Sequence, residues 1–272
     1  MPWNKPLMVL DYPPQEPFSE VGRKYHEEVS RLGSGVVAAT KASFGADPYQ
    51  SLAVFPAAEP SGDVLLFWHG GGWTNGYKEW LFFMAPALND AGVTFVSAGY
   101  RLAPQHLFPA GPEDARDALA WVHGNIADYG GNPDRIFIGG HSAGGHYASL
   151  IALGNSASSV RGVLPISGVF LFGKGSGLSQ NPRFLGETGN EHAASPLAAI
   201  SGKPPPFLLA HGGKDFPHLI KQAHAMESAL LAAGSDASRI VLGDCNHFEA
   251  SYVSGQTKGP WLENAVTWMH NH

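Results

Sequence analysis

Three observations predict an α/β fold with a mostly parallel central sheet flanked by helices. The chain contains short apolar runs of strand length, helical patterns alternate with the later runs, and no Ser/Gly or Pro tract separates two halves. The runs are Ser51–Phe55, Val64–His69, Val93–Tyr100, Arg135–Gly140, Gly162–Ser167, Pro206–His211 and Arg239–Gly243. They are largely apolar, as strands of a parallel sheet are when helices cover both faces.

The helices follow from period and punctuation. Within residues 18–44, Val21, Tyr25, Val29 and Leu32 recur at i, i+4, i+8 and i+11, which predicts an amphipathic N-terminal helix. Ala115, Ala118, Leu119, Val122 and Ile126 repeat at helical spacing after Glu113, with Pro112 before them and Gly130–Gly131 beyond. Leu219, Ala223, Met226 and Leu230 mark a helix closed by Gly234, and Trp261 to Met269 supplies a terminal one. Phe170–Pro196, rich in Gly, Ser and Asn, reads as a lid-like excursion between two strands.

Composition narrows the function. With 272 residues, 44% of them hydrophobic, the chain has enough apolar material for one large core, so residues 1–272 are expected to form a single domain. The formal charge is −6 and Lys and Arg are not clustered, so neither nucleic acid nor an anionic membrane is an expected partner. Ile136 to Val160 has no formally charged residue, yet it carries His141, Ser142, His146, Asn155 and five glycines, and is read as soluble structure. The single cysteine, Cys245, excludes an internal disulfide framework and fits a reducing compartment. Prolines and Asp11 interrupt the start, MPWNKPLMVLDYPP, where a signal peptide needs an unbroken apolar core. A cytoplasmic location is expected, and a homo-oligomer stays open.

The chemistry is carried by Gly140-His141-Ser142-Ala143-Gly144, a G-x-S-x-G between an apolar strand and the helix-compatible segment Gly145 to Leu153. In a nucleophile elbow the serine sits on so sharp a strand-to-helix turn that side chains two residues to either side would strike backbone, and glycine fits both places. The residue after the serine then offers its N–H at a helix start, aimed at developing negative charge. His69-Gly70-Gly71-Gly72-Trp73 follows the strand at 64–68, about 70 residues before the serine. Glycines there free backbone N–H groups to approach a substrate oxygen, so Gly71, Gly72 and Ala143 are the expected oxyanion-hole donors. His69 is read as structural.

A serine hydroxyl needs a base, and the base needs an acid that holds its tautomer. Elbow hydrolases place them in the order serine, acid, histidine. His211 and His247 both follow late strands, but only His247 leaves room for a strand-end acid after Ser142, namely Asp215. Asp244 stands too close to His247 in sequence to come from the preceding strand's loop, and Glu249 is the weaker competitor. Cys245 has no oxyanion turn of its own and is expected as a small buried side chain. His141/His146 and His218/His224 lack the H-E-x-x-H form or a flanking carboxylate set, and no G-x-G-x-x-G follows the first strands. Neither a metal nor a cofactor is expected.

These residues resemble the α/β-hydrolase superfamily, and within it the hormone-sensitive-lipase-like carboxylesterases and the kynurenine formamidases (arylformamidases). The likeness is carried by His69–Trp73, Tyr100-Arg101-Leu102-Ala103-Pro104, Gly140–Gly144 and Asn246-His247-Phe248, and extends from about Leu52 to Met269. Gly213-Lys214-Asp215-Phe216-Pro217 departs from the esterases' Asp-Pro-Leu-x-Asp and, with Ile166-Ser167-Gly168, looks more like the formamidase branch. Gly72, conversely, stands where formamidases often carry a bulkier residue. The resemblance implies that Tyr100–Pro104 is a turn packed under the oxyanion loop, with no catalytic role for Arg101.

The expected function is acyl transfer from a short-chain carboxylic ester through an acyl-enzyme on Ser142. The runner-up substrate is an arylformamide such as N-formylkynurenine. A non-catalytic ligand-binding use of the fold would have no need of serine, acid and histidine together. Aromatics near the motifs are Trp73, Trp80, Phe82, Phe83, Phe170, Phe172, Phe216 and Phe248. Most are core by composition alone, and Trp73 and Phe248, which adjoin catalytic positions, are taken as pocket walls.

Overall fold

A computed structural model describes residues 12–154, 159–178, 183–186 and 189–272. The proline-interrupted start up to Asp11 lies outside them, as do 179–182 and 187–188 of the predicted excursion. One eight-stranded sheet has the order β1-β2-β4-β3-β5-β6-β7-β8. Its strands are β1 (Thr40–Ser43), β2 (Ser51–Phe55), β3 (Val64–Trp68), β4 (Thr94–Ala98), β5 (Ile136–His141), β6 (Gly162–Ile166), β7 (Phe207–Gly212) and β8 (Ala237–Leu242). The pairs β1–β2 and β2–β4 are antiparallel, whereas every pair from β4 through β3 to β8 is parallel. The apolar runs at β2 to β7 are buried at every position. They are covered on both faces, as their lack of alternation requires.

On one face α4 (Ala143–Leu153) packs on β3, β5 and β6, joined by α3 (Ala110–Asn125) and α6 (Pro196–Ala199), while α7 (Pro217–Ala232) lies along β7 and β8. On the other, α9 (Pro260–Asn271) covers β7 and β8 and meets α2 (Ala85–Asp90), which packs on β4. Every residue of α4 is buried, so this helix is apolar all round and its start is held rigidly against the sheet.

The N-terminal segment divides where sequence reading left it whole. Helix α1 covers only Glu20–Leu32, capped by Ser19 Oγ accepting the Gly22 N–H at 3.1 Å and closed by Gly33, and β1 follows at Thr40–Ser43. The edge strand β1 alternates half-buried and exposed residues, so it carries none of the apolar continuity that marks the inner strands. The 3₁₀ segment Lys78–Met84 was equally illegible: all seven residues are buried, and an apolar run without period does not declare its backbone. Two short helices complete the described chain, α5 (Glu191–Ala194) within the excursion and α8 (His247–Tyr252) after β8.

Candidate active site

Ser142 stands alone between β5 and α4, at φ 52° and ψ −113°. A left-handed φ costs a non-glycine residue about 1–3 kcal/mol and persists only where the surroundings over-determine it. Here the Ser142 N–H donates to Ile166 C=O at 2.9 Å, and its own C=O accepts the His146 N–H at 3.0 Å. A Cβ at Gly140 would lie 2.3 Å from the carbonyl carbon of Gly144, and one at Gly144 would lie 2.0 Å from Trp68 O. The glycine spacing of the motif thus has a steric cause in this chain.

Parallel strands deliver their following loops to one edge, and the expected site residues meet there on the loops after β3, β5, β7 and β8. His247 Nε2 is 3.0 Å from Ser142 Oγ, and His247 Nδ1 is 2.9 Å from Asp215 Oδ1. The loops after β7 and β8 are joined, since Lys214 N–H donates to Cys245 C=O at 2.9 Å, and this brings together residues 32 apart in sequence. His247 is the first residue of α8, whose N-cap is Asn246. Glu249 completes that capping box, accepting the Asn246 N–H at 2.8 Å, and Asp244 is an exposed partner of Lys214 at 3.3 Å. Both competing carboxylates are therefore occupied away from the imidazole. Cys245 is only half-buried, contrary to expectation, because its segment is drawn into the joint with β7; burial pushes its thiol up.

Burial by itself would raise the Asp215 carboxyl, but the hydrogen bond and charge of His247, with donors from Ser167 and the Phe216 N–H, outweigh it and hold the group at about 2. Asp215 is thus a carboxylate whenever His247 faces it. Ser167, to which no role was given from sequence, donates to Asp215 Oδ2 at 2.5 Å from a left-handed φ of 52°. His141 also acts on this line. Its ring lies 4.8 Å from that of His247, and its Nε2 is 2.9 Å from His247 C=O, so that nitrogen carries the proton. Burial, then the neighbouring His247, pushes its pKa down to about 3, and it stays neutral.

The glycine loop after β3 turns with Gly71 at φ 121° and Gly72 at φ 61°, and closes through the Asn75 N–H to Gly71 C=O at 3.0 Å. Among the described residues, the N–H groups of Gly71, Gly72 and Ala143 donate to no protein acceptor. The loop is held from two sides. Tyr100 Oη donates to His69 C=O at 3.0 Å and the Ala103 N–H to Trp73 C=O at 3.0 Å, which places the 100–104 turn beneath it. From the N-terminal side, Gln15 grips Gly76 twice, Nε2 to its C=O at 2.8 Å and Oε1 from its N–H at 2.9 Å, while Asn75 Nδ2 donates to Glu16 C=O at 2.6 Å. Sequence offered no signal for Gln15, since a strap is recognisable only once its partner loop is placed. Arg101 is bound to Asp114 by several hydrogen bonds of 2.7–3.0 Å, a structural anchor.

A cleft of about 280 Å³ opens on Ser142, His247, Gly71 and Gly72. Phe248 and Phe216 are among its lining residues. Trp73 is not, which corrects its reading as a pocket wall. Its indole N–H donates to His146 Nδ1 at 3.2 Å, and its ring stacks on Phe184 at 4.2 Å, drawing it into the core beneath the loop. The start of α1 also lines the cleft, through its cap Ser19 and through Gly22 and Tyr25; their i, i+3, i+6 spacing is the one sequence trace of that face. Among the described residues no group of three or more His, Cys, Asp or Glu side chains is arranged to hold a metal ion.

Residues 65–188 match the family described as alpha/beta hydrolase fold. Esterase LipQ of Mycobacterium tuberculosis is 32% identical over 195 residues, 63% of this chain and 46% of that protein. The chain thus spans less than half the length of that relative. A solved arylesterase superposes with a TM-score of 0.76 at 18% identity, covering 94% of this chain and 92% of the other. An esterase from Pyrobaculum calidifontis gives 0.72 at 22%, covering 92% and 91%. The matched stretch, residues 65–188, runs from β3 past β6 and includes Ser142.

Proposed function

We propose that this protein is a serine carboxylesterase acting on short-chain esters. The observation that carries this reading is the unbroken line Asp215–His247–Ser142, with contacts of 2.9 and 3.0 Å, at a cleft lined also by Gly71 and Gly72. Ser142 Oγ attacks the carbonyl carbon as His247 Nε2 takes its proton. The oxyanion that forms is met by the N–H groups of Gly71, Gly72 and Ala143. As the C–O bond breaks, the leaving alkoxide takes the proton from His247. Water, deprotonated by the same imidazole, then attacks the acyl carbon; the bond to Ser142 Oγ breaks, His247 returns the proton to that oxygen, and the carboxylic acid leaves. Asp215 holds the imidazole in the tautomer this requires.

The esterase names of LipQ and of the structural neighbours agree with this reading. An arylformamide is the second reading, supported by the resemblance of Ile166-Ser167-Gly168 and of the segment around Asp215 to that branch. Zwitterionic N-formylkynurenine is the less suitable example, because no Lys, Arg, Asp or Glu lines the cleft among the described residues. One domain is part of the proposal, since a single contiguous core links the described strands and helices. So is a cytoplasmic location, for which the lone Cys245 speaks; among the described residues, no helix is long and apolar enough to cross a membrane.

The test is Ser142→Ala assayed on p-nitrophenyl acetate, butyrate and octanoate and on N-formylkynurenine. Turnover is expected to fall by at least about a thousandfold on whichever substrate the native protein prefers. Full turnover by the variant would remove Ser142 from the mechanism, and a hundredfold native preference for the formamide would replace the ester reading.

A further inference from the structure

The cleft at Ser142 is bounded by a nearly continuous band of rings. Phe216 lies 4.9 Å from the His247 ring, His247 lies 5.4 Å from Phe248 at 84°, and Phe248 lies 5.5 Å from Tyr25. Tyr25 then meets Trp80 edge-on at 5.1 Å, and Trp80 lies 5.8 Å from Phe18. The polar handles of this band are used elsewhere. Tyr25 Oη is bonded to Ser251 Oγ at 2.9 Å, and Trp80 Nε1 donates to His26 Nδ1 at 3.0 Å. What remains toward the cleft is ring surface, with no formally charged side chain among its described lining residues. Phe216 is the unusual member. It is 45% exposed, though a large apolar side chain ordinarily goes inside, and it stacks on His218 at 5.8 Å and 12°.

The side of the reaction served by these rings follows from the chemistry. In serine acyl transfer the imidazole that takes the serine proton returns it to the departing atom, so the leaving group must lie against His247. The rings of Phe216 and Phe248 lie 4.9 and 5.4 Å from that imidazole and both line the cleft. We propose that this part of the cleft is a leaving-group subsite for a neutral aromatic alcohol or phenol, with Phe216 and Phe248 as its specificity-determining residues. The inference rests on the esterase reading and goes beyond it by naming the half of the substrate that is selected. Ring pairs favour edge-to-face and offset contacts over contact with a saturated group of the same size. A cleft of about 280 Å³, at the lower limit of ligand pockets, suits a single ring.

The test compares benzyl acetate with cyclohexylmethyl acetate, which share an acyl group and have leaving groups of similar size and basicity. The expected result is a kcat/KM about 3- to 10-fold higher for the benzyl ester, falling to within about twofold in Phe216→Leu. Benzyl alcohol should likewise inhibit the native protein several-fold better than cyclohexylmethanol, a measurement that needs no variant. A native ratio near one overturns the proposal. So does a preference that survives in both Phe216→Leu and Phe248→Leu, or one that appears only on the acyl side, between ethyl phenylacetate and ethyl cyclohexylacetate. Failure of the underlying reading looks different: no ester is turned over, and a fluorophosphonate leaves Ser142 unlabelled.

Discussion

Ser167 bears no reacting atom in the proposed chemistry, yet its hydroxyl completes the partners of the Asp215 carboxylate. A hydrogen bond to a charged group contributes about 1.5–3 kcal/mol. If that support is felt in the transition state, Ser167→Ala lowers kcat/KM by about 10- to 150-fold. Steady-state kinetics on the preferred ester check this, and an unchanged value would make the contact incidental. The elbow predicts a contrast between two glycines. A methyl at Gly144 meets Trp68 O at 2.0 Å, whereas one at Gly72 meets nothing within 4 Å and suffers only its left-handed φ. Gly72→Ala is therefore expected to lose about 1–2 kcal/mol in urea unfolding. Gly144→Ala should lose more than about 3 kcal/mol or fail to fold.

Among the elements, the glycine loop depends on a segment far from it in sequence. Residues 12–19 run across the loop before α1 begins, and Gln15 satisfies both backbone groups of Gly76. Gln15→Ala leaves an N–H and a C=O to find water, at about 1–3 kcal/mol. The expected outcome is a lower kcat together with weaker binding of a boronic acid that mimics the tetrahedral intermediate. Equal loss of affinity for a planar ground-state ligand would mean that the strap serves stability alone. This scale also shows where sequence reading was strong. The inner strands and α3, α4, α7 and α9 were legible because continuous burial and helical period leave direct marks. Edge strand β1 has neither mark, and the 3₁₀ segment is buried throughout but has no period, so the form of both was decided by neighbours.

For the molecule as a whole, the buried histidines set its response to acid. Burial pushes His69 and His146 down to about 4, and His141, with the added push of His247, to about 3. Each is neutral in the fold but protonates near pH 6.5 when the chain unfolds, so the unfolded state binds more protons below that pH and stability falls as pH falls. With three such groups the slope approaches about 4 kcal/mol per pH unit between pH 6 and 4. Asp215, held at about 2, adds a loss only below pH 4, as acid first reaches its unfolded and then its folded pKa. Urea midpoints measured from pH 7 to 4 should drop steeply over the upper window, and less steeply in His146→Gln. A flat profile would contradict neutral burial of these rings.

The sequence by itself determined the fold class, and it singled out the glycine-flanked Ser142 and the candidate acid and histidine of the proposed triad, because each is written in local chemistry. Apolar runs mark buried strands, glycines stand where a Cβ has no room, and strand-end residues share one edge of a parallel sheet. Tertiary structure alone decided what surrounds them. Trp73 adjoins the loop in sequence but is drawn into the core by His146 and Phe184, while Tyr25, far away in sequence, lines the cleft together with Ser142. Ser167, His141 and Gln15 acquire their partners only when the ends of β5 to β8 and the N-terminal strap are brought together. The physical reason is that backbone demands are local and leave a motif, whereas side-chain partners are chosen by packing between segments that carry no record of one another.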